Sequence, residues 1–202
     1  MSIERLKWAA IISFVIALGG LLIGGVFAAR EAPPYPGTVA GPDGQALFTK
    51  QDILAGQDVY QRYGLMDHGS VWGHGSQRGM EFSAVTLHRI GETVRSRLAE
   101  EGFGRPYDQL SGEDRGIVDL RTRNELKSNG YDVASDTLRL SPAQAAAVIE
   151  TGSFWETTFR DGDPRYGFLP NTVPTAEERQ QIGRFFFWTA WVASANRPGE
   201  DH

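Results

Sequence analysis

From Trp8 to Ala29 the chain runs for 22 residues without a charged side chain. At 1.5 Å per residue a helix of that length reaches roughly 33 Å, enough to cross a hydrocarbon core of about 30 Å. The spacing predicts one membrane-spanning helix. A cleaved secretory signal is the competing reading, since Val26-Phe27-Ala28-Ala29 offers small residues near a possible cut, but an ordinary signal core has only about 7 to 15 apolar residues. Arg5 and Lys7 precede the run, so the positive-inside rule places the amino terminus in the cytoplasm and everything after residue 29 in the periplasm of a bacterial inner membrane. Within the run Gly20, Gly24 and Ala28 recur every four residues, a stripe that lets another membrane helix approach closely.

Beyond the anchor there is room for one domain. Residues 1–29 are read as cytoplasmic end and anchor, 30–48 as a Pro/Gly-rich linker, and 49–202 as the folded part. Past residue 29 there are 18 basic and 24 acidic residues, a net charge of -6. No basic stripe exists to neutralise phosphates, so a nucleic-acid partner is excluded. Cysteine is absent, which removes disulfides, thiolate metal sites, a cysteine nucleophile and thioether attachment of haem c.

Helix signals dominate the folded part. Thr49 with Asp52 reads as a capping box opening a helix to Arg62, and Glu81–Glu101 carries apolar residues at helical spacing. A third helix fits Ser111–Lys127, closed by Asn129-Gly130. Residues 131–140 alternate weakly, as in a short strand. Ser141-Pro142 opens an alanine-rich helix to about Thr151, and 157–173 reads as an irregular loop. Thr175 with Glu178 reads as a further capping box launching an aromatic helix that Asn196-Arg197-Pro198-Gly199 stops. Its uncharged stretch, Phe185–Asn196, is too short to span a bilayer and fits a core helix whose rings also meet a partner or a membrane surface.

One stretch matches neither period. Tyr63–Gln77 and its margin hold Gly64, Gly69, Gly73, Gly75 and Gly79 with His68, His74 and Trp72, the composition of a shaped loop rather than of helix or strand. Shaped loops on rigid scaffolds are where binding surfaces concentrate. Hydrolase chemistry lacks a G-x-S-x-G elbow, and phosphate-loop chemistry lacks G-x-x-x-x-G-K-[ST]. His68, His74 and His88 could hold zinc or copper, although they follow no ligand spacing, so an independent metal-binding module stands as the alternative function.

A helix carrying Gly56-Gln-Asp-Val-Tyr-Gln61, a loop, and a terminal aromatic helix are together similar to a class I cytochrome c domain. More specifically, Tyr63–Gly75 (Y-G-L-M-D-H-G-S-V-W-G-H-G), Leu87-His-Arg89, Asn129-Gly-Tyr-Asp132, Thr137-Leu-Arg-Leu-Ser141 and Phe185–Gly199 resemble the amino-terminal region of quinol-dependent nitric oxide reductases. That region is a cytochrome-c-like domain without haem, behind a transmembrane helix. Setting Gly73 and Gly75 on the G-x-G turn of haem-bearing relatives places the lost haem cysteines at Leu65 and His68 and the lost ligand histidine at Gly69.

The resemblance implies a mainly α fold, an anchor helix followed by a periplasmic cytochrome-c-like domain, with no cofactor in this chain. It implies a non-catalytic small subunit or domain of an oxidoreductase complex, capping a polytopic subunit that carries haem b, haem b3 and non-haem iron. That partner takes electrons from quinol and reduces nitric oxide to nitrous oxide, or dismutates it. The family's membrane helices do not follow Arg197-Pro198-Gly199 here, so the expectation is a split subunit or a detached front part. The interface expected from the resemblance is Trp72, Gly73, His74, Gly75 and Gln77 on the loop with Phe186, Trp188, Trp191 and Arg197 on or beyond the last helix. Gly75 and Gln77 match positions that help hold a shared calcium.

Overall fold

The computed structural model describes residues 2–30 and 32–197. Two compact units result, Met1–Pro34 and Tyr35–His202. The first is α1 (Ile3–Arg30), 28 residues long and apolar enough to cross a membrane. None of its side chains is buried against its own unit. A Cβ built on Gly20 or Gly24 meets nothing within 4 Å, so the small-residue stripe with Ala28 is open to another helix.

The second unit starts at Tyr35, well inside the segment expected to be linker. Thr38–Ala40 forms β1 and Ala46–Thr49 forms β2, joined by a turn through Gly41–Gly44. Of the prolines and glycines read as linker, Gly41, Pro42 and Gly44 form the turn between two strands, and Val39 and Phe48 enter the core. Then come α2 (Lys50–Arg62), the strands β3 (Gly69–Val71), β4 (His74–Gly75) and β5 (Met80–Glu81), and the helices α3 (Phe82–Phe103) and α4 (Gly112–Lys127). A hairpin of β6 (Tyr131–Asp132) and β7 (Thr137–Arg139) precedes α5 (Pro142–Asp161) and α6 (Ala176–Ser194). One sheet runs β2-β1-β7-β6, with β1 parallel to β7 and Val39 opposite Leu138. The other runs β4-β3-β5. The mainly α expectation holds, with a membrane-length helix ahead of five packed helices.

Each helix begins for a local reason. The Thr49 hydroxyl accepts from the Asp52 amide while the Asp52 carboxylate accepts from the Thr49 amide at 2.8 Å. Ser141 and Gln144 form the same reciprocal pair, with Pro142 at the first helical position. Thr175 caps α6 through the Glu178 amide at 3.2 Å, but the return bond expected of a box is missing. The Glu178 carboxylate is engaged elsewhere, accepting from the Tyr63 hydroxyl at 3.1 Å and pairing with Arg62 at 3.1 Å. A bond from the Thr175 hydroxyl, together with these, holds the Glu178 carboxyl below the usual carboxylate range. The depressed value means the contribution is present above the ordinary carboxylate pKa and is lost as pH falls below it. Thermal midpoints measured from pH 7 downward should therefore fall through that range, and less steeply for Glu178→Gln; parallel curves would discount this cluster.

Two expectations change at the ends of helices. The helix α5 does not stop near Thr151 but continues through Gly152 to Asp161, so the region 157–173 is irregular only after Gly162. Glycine disfavours helix interiors by about 1 kcal/mol, but here packing overrides that. A Cβ on Gly183 of α6 would sit 3.5 Å from the Gly152 Cα, so the two backbones lie close together. The added turns bury Trp155 and Phe159 completely. The helix α4, in turn, closes on Ser128 rather than on Asn129-Gly130. Asn129 instead donates from its side-chain amide to the Asn196 carbonyl at 2.8 Å, tying the end of α4 to the end of α6.

The core is aromatic. Phe82 and Phe186 stack at 4.7 Å with their planes 4° apart, and Trp155 lies 4.8 Å from Phe186. Phe159 and Phe168 close the cluster at 5.2 Å. Trp155 satisfies its indole N–H with the Thr86 hydroxyl at 3.1 Å, the partner a buried indole needs.

Candidate functional site

The glycine-rich stretch is more ordered than its composition predicts. After Gly64 a single 3-10 turn spans Leu65–Asp67, and β3 and β4 then form a hairpin in which Val71 faces His74. The two residues between them, Trp72 and Gly73, have φ of 53° and 76°. Paired positive φ values are those of the type I′ turn whose twist suits a two-residue hairpin. Glycine supplies such a φ freely, whereas tryptophan does so at a cost. Two bonds offset it: the Trp72 amide donates to the Ser83 hydroxyl at 3.3 Å, and the indole N–H donates to the Thr189 carbonyl of α6 at 2.9 Å. The hairpin is thereby fastened to the last helix while Trp72 stays 40% exposed.

Beneath the turn lies an open cleft of about 330 Å³. Tyr35, Tyr60, Trp72, Phe185 and Trp188 line it, with Met66 and Val71 on the loop side and Gln57, Gln61 and His74 as its polar groups. The Tyr35 and Trp188 rings stack at 4.2 Å, and Trp72 lies 5.5 Å from Trp188. The Tyr60 hydroxyl is buried without a hydrogen-bond partner among the described residues. Burial, then the nearby charges of Glu81 and Asp67, raise its pKa, so it stays a neutral phenol. By sequence Tyr35 falls in the linker segment and Tyr60 on the apolar face of a helix, with nothing to mark either as a site residue. Only the convergence of the segment before β1 with α2, α6 and the hairpin assembles this wall.

The predicted site residues separate into two groups. Trp72, Gly73, His74, Gly75, Gln77 and Arg197 are exposed, as an interface requires. Phe186, Trp188 and Trp191 are not, at 0%, 3% and 6% exposed; they hold α6 in the core, and Trp188 reaches the outside only as part of the cleft wall. This corrects the expected interface, because a helix packed on several sides spends its rings inward. Pro198 and Gly199, expected to stop α6, lie outside the described residues.

The three histidines do not converge either. His68 lies against Phe168 at 5.5 Å, His88 pairs with Glu92 at 3.4 Å on the outside of α3, and His74 sits on the hairpin. Among the described residues no group of three or more His, Asp or Glu side chains is placed to hold a metal ion. A calcium ion takes six to eight oxygens. Gly75 and Gln77 bring only neutral oxygens on an exposed loop, so this chain alone does not make a calcium site.

Nor do the residues fit a haem. Leu65, expected at a haem cysteine position, is fully buried in the core, and no cysteine exists to form a thioether. Gly69, expected at the ligand position, is buried with no room for a side chain: a Cβ there would press on the Met80 carbonyl and lie 2.7 Å from Phe82 Cε2. The stacked Phe82, Phe186 and Trp155 rings fill the interior beside it. Gly69→His should therefore unfold the loop rather than create a ligand, costing about 3 kcal/mol from overpacking. A Soret band on the folded variant after addition of free haem would overturn that expectation.

Two comparisons with known proteins bear on identity. No individual curated protein matches the chain. A family profile described as the cytochrome c-like domain of the nitric oxide reductase NorB chain matches residues 36–202, nearly the whole of the second unit. The chain belongs to the NorB cytochrome c-like domain family of nitric oxide reductases.

Proposed function

We propose that this chain is a haem-free, non-catalytic cap on the polytopic catalytic subunit of a quinol-dependent nitric oxide reductase. Its anchor holds the second unit at the periplasmic face, with the short amino terminus in the cytoplasm. The partner supplies haem b, haem b3 and non-haem iron, takes electrons from membrane quinol and carries out all the redox chemistry. This chain closes the face where a haem-bearing domain would otherwise bring electrons in.

The observation that carries the reading is the filled interior. Aromatic rings occupy the space beside Leu65 and Gly69, and yet the hairpin next to them is kept in a strained shape and presented outward through Trp72, His74 and Gln77. Backbone strain held in place by surrounding bonds is a signature of functional surfaces. Oxygens from the partner would have to complete any calcium site at this seam, with Gly75 and Gln77 at its margin. Substitution at Gly75 itself is a poor probe of the interface. Its φ of 137° suits glycine, and a Cβ would sit 3.0 Å from the Ser70 Cα, so the loop would change first.

The exposed positions give a cleaner test. Tagged full-length chain, purified from its own membranes in mild detergent, should bring with it a polytopic protein with a haem b spectrum and quinol-driven nitric oxide consumption. His74→Ala combined with Gln77→Ala should lower that recovery several-fold while leaving the thermal midpoint of the isolated chain unchanged. Recovery of the chain without any haem protein would sink the proposal.

A further inference from the structure

The turn at Trp72 is held from behind by a buried side chain. The Trp72 amide donates to the Ser83 hydroxyl at 3.3 Å, and that hydroxyl in turn donates to the Glu81 carboxylate at 3.1 Å. The second oxygen of the same carboxylate accepts from the Ala84 amide and so caps α3. Ser83 sits in the first turn of α3 and is only 3% exposed, so water does not stand in for either partner. Its single proton is committed to Glu81, which leaves its lone pairs for the Trp72 N–H. Glu81 is itself placed by β5, whose parallel pairing with β3 sets it opposite Ser70, two residues before Trp72. Helix cap, serine and turn therefore form one chain of bonds. Left-handed backbone costs a tryptophan about as much as two hydrogen bonds of ordinary strength supply. Two are present, and the other, from the indole to the Thr189 carbonyl, ends on helix backbone. Neither bond is spare.

We propose that Ser83 and Glu81 are positioning residues for the partner-facing hairpin, fixing the left-handed turn that presents Trp72 and His74. This rests on the hairpin being the surface that meets the catalytic subunit, as proposed above. Ser83 is buried and offers a partner no surface, so it acts only through Trp72. Without its bond the Trp72 backbone is free to relax toward the right-handed region, and the turn loses the twist that suits a two-residue hairpin. The indole then swings away from the Thr189 carbonyl, because its direction is set by its own backbone. One buried hydroxyl thereby controls the shape of an exposed surface.

Hydrogen–deuterium exchange followed by mass spectrometry, on the full chain in mild detergent, reads this arrangement without any partner. Ser83→Ala should speed exchange of the amides in residues 69–75 by at least about fivefold, the factor that one lost hydrogen bond gives, with exchange in α5 and α6 unchanged. The thermal midpoint should fall by only about 3 °C, since one bond is lost and alanine suits the helix. In Glu81→Gln the one amide oxygen can serve the Ser83 hydroxyl or the Ala84 amide but not both, so exchange should rise in the hairpin or in the first turn of α3. Unchanged exchange in either variant overturns the chain of bonds, whatever the partner does. Co-purification from native membranes then tests the positioning: Ser83→Ala should lower recovery of the haem protein several-fold, as His74→Ala combined with Gln77→Ala does. If the double variant lowers recovery and Ser83→Ala does not, the hairpin remains the contact surface and the positioning role falls. If the unsubstituted chain recovers no haem protein, the hairpin has no such partner and the positioning role falls with it.

Discussion

Replacing Gly56 with alanine is expected to be among the most damaging single changes in the second unit. Gly56 sits where α2 crosses α6, and a Cβ there would run into the Gln181 carbonyl oxygen and lie 2.7 Å from the Phe185 Cβ. The obstacle is backbone of a packed helix, which cannot rotate aside as a side chain can. Alanine would gain up to about 1 kcal/mol in helix propensity. The forced separation of the helices costs more, about 3 kcal/mol or above, at the upper end of overpacking effects. For a chain of this size that is a fall of roughly 10 °C in thermal midpoint. Gly116 on α4 is the control: nothing lies within 4 Å of its Cβ position, so Gly116→Ala should stabilise by about 0.5–1 kcal/mol. Scanning calorimetry on both variants decides the matter, and equal shifts would mean the crossing tolerates separation.

A comparable loss is expected for Trp155→Ala. The side chain is 0% exposed, stacks on Phe159 at 5.6 Å and donates its indole hydrogen to the Thr86 hydroxyl. Its removal leaves a cavity at the meeting point of α3, α5 and α6 and should cost about 3–5 kcal/mol. Trp155→Phe should cost much less, because Thr86 keeps its own bond to the Phe82 carbonyl at 2.7 Å and the ring stack survives in part. Denaturant unfolding of both proteins would check the difference. A small loss for Trp155→Ala would mean that the neighbouring rings collapse into the space, the movement that making room for a bulky cofactor would also require.

The capping pairs at Thr49 and Ser141 are legible in the chain because they are local: a side chain three residues from its partner needs nothing else to form the bond. The membrane-length helix α1 is local too, since length and absence of charge decide it. The glycine stretch is legible as a shaped segment but not as a sheet. Its strands are two or three residues long, and β3 gains its parallel partner β5 only because the chain folds back at Gly79. Segments that short carry no period to detect. The end of α5 is hidden at Gly152 for the opposite reason, because a local breaker is overruled by a tertiary neighbour on α6.

The site shows the same division. Trp72, His74 and Gly75 stand out by composition, and the structure leaves all three exposed on the hairpin. Phe186 and Trp191 stand out equally and are core, because the exposed or buried side of a helix with aromatic residues on several faces depends on what packs around it. Tyr35 is invisible as a site residue, lying among prolines that look like linker until β1 pairs with β7.

By itself the sequence determined the membrane-length apolar helix, most of the helix starts, the impossibility of a thioether-bound haem and the family, all of which rest on residue identity or on short-range spacing. The tertiary structure alone decided that Leu65 and Gly69 are packed shut, that the hairpin is pinned to α6 through Trp72, and that five distant aromatic residues form one cleft. Those outcomes depend on contacts between residues more than 100 positions apart, as for Trp72 and Thr189 or Tyr35 and Trp188. Such contacts follow from how helices close on one another, and no local pattern encodes them.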